Sequence, residues 1–217
     1  MKQREITWRY AITEIFIVSI GILLAFGINT ISSNISRNKE KEEYRKSLNT
    51  DLEENLKSID RIILAQERKV KELNELLENL ESSNYDLDKI GSILFRQRKS
   101  PTFFPISGTF KSLVSQGKIE IFDTEVKREL FNLYDTNYER TAYNGTLYDQ
   151  IYVDVYDKEI QEVMNLRTKE FVMESRLKTN DFSKNIILII DEAESYLNLL
   201  SKSKIESQKM IDLINKK

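Results

Sequence analysis

From Ile15 to Ser36 the chain carries no charged residue, and its apolar core lies at Ile15–Ile28. No other stretch narrows the outcome so far. Taken as residues 10–31, the run makes a helix of about 33 Å at about 1.5 Å per residue. That is enough to cross a hydrocarbon layer of about 30 Å. Trp8 and Tyr10 stand at its N-terminal edge, where aromatic side chains favour the headgroup layer. A cleaved secretory signal is the competing reading. The run is long for one, and "GINTISSNIS" has no Ala-x-Ala site, so we read an uncleaved signal-anchor. Lys2, Arg4 and Arg9 precede the span, whereas Arg37, Lys39, Lys41, Arg45 and Lys46 begin beyond it and are interleaved with Glu40, Glu42 and Glu43. The expectation is a single pass through a bacterial inner membrane, with a cytoplasmic N-terminus and a periplasmic body.

One carboxylate interrupts the span. Glu14 is four residues beyond Tyr10, about 6 Å along a helix, within reach of the interface. On a helical wheel Gly21 and Ala25 flank it by about 20° on either side, Ser32 lies directly beneath it and Asn29 about 60° away. Glu14 thus tops a face of small and polar residues, the kind that lets membrane helices pack closely. The alternative is a proton or ion site, because intramembrane carboxylates are functional candidates by default.

Six Gly and two Pro in 217 residues leave few helix breakers, so the rest of the fold is expected to be all-α. Residues 32–82 read as a juxtamembrane segment running into a long helix. Its apolar positions Leu52, Leu56, Ile59, Ile63, Val70, Leu73, Leu77 and Leu80 alternate by four and three, with Gln66 in the one polar slot. Such a heptad seam suits a coiled coil between chains, or an amphipathic helix packed in its own chain's bundle. Residues 83–123 are irregular. "KSPTFFPISG" must be loop, with Phe103 and Phe104 tucking it onto the bundle. A short helix at Thr109–Gln116 then stops at Gly117, and Asp123 caps the next.

Residues 124–217 read as a helical hairpin. Its first arm runs from Thr124 to about Glu170 on Val126, Leu130, Leu133, Ile151, Val155 and Val163. The second begins near Asp181 or Ser183 with Ile186, Ile190, Ala193, Leu197, Leu200, Ile211 and Ile214 on its apolar face. "IILII" is expected as buried helix. Tyr148, Tyr152 and Tyr156 share one face of the first arm, as an aromatic ligand lining or as a plain bundle seam. Asp135 to Thr146 has the start of a calcium loop but Arg140 and Thr146 where Gly and Glu are needed, so it is rejected. The cluster Arg96, Gln97, Arg98 and Lys99 suits a helix C-terminus better than an anion site.

Two patches carry a resemblance. Tyr10-Ala11-Ile12, Glu14-Ile15, Ile20-Gly21-Ile22-Leu23-Leu24-Ala25 and Ile28-Asn29 form the first, and "LVSQGKIEIFDTEVKRELFNLY" from Leu113 to Tyr134 the second. Together they resemble an uncharacterised bacterial family of single-span membrane proteins, classed as a domain of unknown function. Thr30 and Ile31 stand where that family usually has Asn and Trp. The resemblance implies a membrane-anchored helical protein and brings no activity.

Function classes narrow by elimination. Without Cys or His there is no disulfide, thiolate nucleophile, imidazole base, or Cys or His metal site. A net charge of −2 offers no basic field for nucleic acid. Serine and carboxylates without a base make no catalytic constellation, so neither an enzyme nor a cofactor is expected. What remains is an anchored interaction, scaffold or sensor protein. It would be homo-oligomeric through span and heptad helix, with a membrane or envelope protein as the further partner. The alternative is a stator-like proton- or ion-coupled subunit using Glu14.

Overall fold

A computed structural model describes residues 8–98 and 100–216, with the backbone alone for 9–11. Lys2, Arg4, Lys99 and the side chains of Arg9 and Tyr10 lie outside the described residues. The chain divides into two compact units, Met1–Lys46 and Ser47–Lys217. Helix α1 (Trp8–Glu81) contributes to both.

In the first unit α1 exposes every described side chain from residue 12 to residue 39. This is the one described helix long and apolar enough to cross a membrane, and its apolar window is buried nowhere in the chain. The Thr30 hydroxyl donates back to the Phe26 carbonyl at 2.8 Å, so its polar group is satisfied within the helix.

The second unit is helical, without a strand among its described residues beyond one isolated bridge. Helix α2 (Leu87–Arg96) starts at Asp86, whose carboxylate accepts from Lys89 N–H at 3.0 Å. Helix α3 (Gly108–Ser115) ends before Gly117, which takes the left-handed conformation at φ 65°. Helix α4 (residues 124–163) starts at Asp123, which accepts from Val126 N–H at 3.0 Å. Helix α5 (Asn180–Asn215) starts at Thr179, which accepts from Phe182 N–H at 3.2 Å. Each of these three carboxylate or hydroxyl caps fills an orphan donor of a first turn.

Side-chain pairs set the directions of the long helices. Asn49 meets Asn215 and Asp60 meets Lys204, so α1 and α5 are antiparallel. Tyr138 meets Ser207 and Glu159 meets Asn185, so α4 and α5 are antiparallel too. α1 and α4 are therefore parallel, and residues 82–123 must carry the chain back along α1 before α4 can begin. Much of that return is extended backbone, a strap over residues 100–107. It descends antiparallel to α1, from Gln66 beside Ser100 and Pro101 to Asn55 beside Ile106 and Asp51 beside Thr109.

Both long helices bury strict heptads inside the chain. In α1 the buried positions are Leu48, Leu52, Asn55, Ile59, Ile62, Gln66, Lys69, Leu73 and Leu76. In α5 they run from Ile186 through Ile189, Ala193, Tyr196, Leu200, Ser203, Ser207 and Met210 to Ile214. Of the expected α1 seam, Leu52, Ile59, Gln66 and Leu73 are buried, but Leu56, Ile63, Val70, Leu77 and Leu80 are only half-buried. The alternate positions lie one residue earlier because two polar side chains, Asn55 and Lys69, face inward there.

Helix α4 is continuous but contains two π-helical stretches, Asn132–Tyr138 and Tyr152–Asp157. They coincide with successive four-residue steps of its buried face, Leu130–Tyr134–Tyr138 and Tyr148–Tyr152–Tyr156. An α-helix would rotate such a run off the core, whereas the wider turns keep it aligned. The helix stops at Val163, not near Glu170. Met164 is extended, the Asn165 side chain accepts from the N–H groups of Arg167 and Thr168, and Lys169 takes φ 63°. This tight turn pairs Met164 with Phe171.

Two further expectations change. Phe103 is fully buried, but Phe104 is 68% exposed, because adjacent residues of an extended strap point to opposite sides. "IILII" is helical, yet Ile187 and Leu188 face outward. Asp135–Thr146 lies inside α4, so it forms no calcium loop.

Candidate functional site

Three polar side chains of α1, two of them in its buried seam, share one task, the extended strap. Such a segment cannot satisfy its own backbone, so buried partners must come from elsewhere. Asn55 accepts from Ile106 N–H at 2.8 Å and donates to its carbonyl at 2.9 Å. The Gln66 amide donates to the Pro101 carbonyl at 3.0 Å and accepts from the Tyr148 hydroxyl at 3.1 Å. Asp51 accepts from Thr109 N–H at 3.2 Å, supplying the first turn of α3. From α5, the Tyr196 hydroxyl accepts from Phe103 N–H at 2.8 Å.

Lys69 lies one turn beyond Gln66 and departs from this pattern. It is 1% exposed, and its Nζ has no hydrogen-bond partner. The amine sits 3.8 Å from the centre of the Tyr152 ring and 5.6 Å from that of Tyr148. Ring faces attract a cation, by ~2 kcal/mol when desolvated, which replaces hydration only in part. Burial accordingly pulls the Lys69 ammonium down from 10.5 to about 7, with Asp149 and then Asp157 acting against the shift.

Those two carboxylates have other commitments. Asp149 accepts from the Thr102 hydroxyl at 2.8 Å, and burial holds its carboxyl above the ordinary value. Asp157 faces Arg98, Oδ1 to Nε at 3.7 Å. Around them the tyrosines form a ladder. Tyr148 stacks on Tyr196 at 5.6 Å and Tyr152 on Tyr156 at 4.7 Å, and the Tyr156 hydroxyl donates to the Leu94 carbonyl at 3.1 Å. Burial raises all four phenols, Tyr196 to about 12, so they are neutral at physiological pH. The cluster can therefore take up or release one proton near neutrality, at Lys69 Nζ.

The other expected positions fall elsewhere. Glu14, Gly21, Ala25, Asn29 and Ser32 lie on the exposed part of α1, and a Cβ added at Gly21 would meet nothing within 4 Å. Tyr148, Tyr152 and Tyr156 line the bundle seam. Of the basic cluster, Arg96 pairs with Glu72 at 3.2 Å and Arg98 with Asp157, while Lys99 is outside the described residues. Among the described residues no group of three or more acidic side chains is placed to hold a metal ion. Lys69 escaped the sequence reading because a lysine counts as solvated by type. Its spacing of seven from Ile62 and from Leu76 was the available signal.

The model of a family of unknown function, DUF6090, matches residues 14–207. No match was found among curated proteins or among solved structures.

Proposed function

The chain belongs to the DUF6090 family, and we propose that it is a membrane-anchored interaction or sensor protein, with the span as anchor and the helical bundle as working module. The observation that carries this reading is the uncovered apolar stretch of α1. Ile15, Phe16, Ile17, Leu23, Leu24 and Phe26 are each more than 60% exposed, while the bundle closes its own core. Lipid is the solvent in which such a surface is stable. We place the protein in a bacterial inner membrane by a single uncleaved pass, with the bundle outside the cytoplasm.

Self-association is proposed through the span, on the face of Glu14, Gly21, Ala25, Asn29 and Ser32, since the α1 seam is buried against the chain's own helices. The chain has no Cys, so introduced ones report cleanly. Labelling of cysteines at Thr50 and Lys202 by an impermeant reagent in intact spheroplasts is expected. No labelling at either would sink the orientation, and recovery of the full chain in the soluble fraction would sink the anchor. Ala25→Cys should cross-link two copies and Leu23→Cys, on the opposite face, should not.

A second reading, a proton- or ion-coupled subunit, draws on Glu14, which is exposed within the apolar stretch. Glu14→Gln should abolish a coupled activity but leave an anchored module unaffected.

A further inference from the structure

We propose that Lys69 is a proton-binding site controlling attachment of the strap: a proton from solvent, added to the Nζ lone pair, draws Asp149 and Asp157 toward the ammonium and loosens their hold on Thr102 and Arg98. The inference rests on the reading of the bundle as a working module and names its regulation. It stands on a juxtaposition. Lys69 is fully enclosed without a hydrogen-bond partner. Both carboxylates that act on it face the same short stretch: Asp149 accepts from Thr102 of the strap, and Asp157 lies against Arg98 in the turn that leads into it. Gln66, one turn away, holds residues 100 and 101 between those two points. A charged Lys69 needs a carboxylate, and each carboxylate it can recruit is one the strap uses.

The charged and titratable groups around the amine come from every packed element. α1 supplies Glu72 beside Tyr156, and the turn that leads into the strap supplies Arg98. α4 supplies Asp149, Asp157 and the phenols of Tyr148, Tyr152 and Tyr156. α5 supplies Tyr196 and Glu192, both facing Tyr148. The phenols are neutral across the working range, and burial brings Lys69 down to about 7.

The sign follows from linkage. With the strap closed, Lys69 loses its proton above about 7; with the strap open and the amine in water, it keeps it up to 10.5. Between those values the open form holds the extra proton, so the closed form gains with rising pH by up to about tenfold per unit. Below about 7 both forms are charged and this dependence levels off. Acid therefore favours opening, which uncovers Phe103 beside the already exposed Phe104.

The test is amide hydrogen exchange on the full chain in lipid nanodiscs from pH 6 to 9, corrected for intrinsic chemistry. In the natural protein, protection at residues 100–106 should rise by up to about fifty-fold from pH 7 to 9, while residues 200–212 of α5 stay level. Lys69→Met and the polar but uncharged Lys69→Gln should both flatten the strap's profile while keeping their helical circular dichroism. Since neither removes a carboxylate or a phenol, the difference isolates Lys69. A flat profile in the natural protein, or an unchanged slope in a folded variant, overturns the proposal. A parallel slope in α5 would do so as well. Those results leave membrane anchoring intact, and a soluble chain would sink the anchor without altering the exchange profile.

Discussion

The two parts of α1 invert each other. Over residues 12–35 the helix turns Ile, Leu and Phe outward and keeps nothing inside, because none of the described residues covers it. Over residues 48–76 it turns Asn55, Gln66 and Lys69 inward, each at most 1% exposed, among Leu and Ile. The first part is long and apolar enough to cross a membrane and makes no apolar environment of its own. The second makes its own and then places polar groups in it, which is tolerable only where each finds a partner. Asn55 and Gln66 find the strap. Lys69 finds only ring faces, and its lowered affinity for the proton is the consequence.

The largest effect should separate two equivalent truncations. Phe103→Ala removes a fully buried ring packed edge-on to Tyr138 at 5.2 Å and should cost about 3–5 kcal/mol in denaturant unfolding of the bundle. Phe26→Ala, in the exposed stretch, should leave that transition unchanged. The converse holds for charge: Leu24→Arg should weaken membrane insertion by about 2.5–3.5 kcal/mol, read by carbonate extraction.

Asn55→Leu keeps the apolar volume of the seam but strands the amide and carbonyl of Ile106, at about 1–3 kcal/mol for each buried group left unpaired. Exchange should quicken first at residues 104–109. A full-length variant that melts like the natural chain would show that the strap is not held by the seam.

Gly145→Ala tests packing between helices. Its Cβ would come 2.7 Å from the Tyr196 hydroxyl and 3.2 Å from Thr102, so the tyrosine that holds Phe103 N–H has to shift. About 1–2 kcal/mol of destabilisation is expected. Smallest of all, Glu14→Gln should leave both insertion and bundle unfolding within about 0.5 kcal/mol, as for an exposed site without packed neighbours.

Much of this fold is legible in single residues. The long apolar stretch of α1 follows from the uncharged run, the stop at Gly117 from a residue that accepts φ 65°, and the start of α4 from Asp123. The irregular stretch follows from Pro101 and Pro105. Less legible was the side of α1 that turns inward. Leu56, Ile63, Val70 and Leu77 offer a credible apolar row, and only the partners of Asn55 and Lys69 show that the buried row lies one residue earlier. The end of α4 was hidden likewise, since an Asn side-chain turn and a left-handed Lys169 leave no mark as plain as Gly or Pro.

The division has a physical basis. Properties that a residue carries alone, such as hydropathy, loss of an N–H or tolerance of positive φ, act through local chemistry, and the amino-acid sequence determined the apolar stretch, the helical class and the breaks by itself. Whether a polar side chain is buried depends on a partner far along the chain: 51 residues from Asn55 to Ile106, and 82 from Gln66 to Tyr148. Those distances close only when the strap returns along α1 and α4 packs parallel to it. The inward face of α1, the enclosure of Lys69 and its proton affinity were therefore decided by the tertiary structure alone.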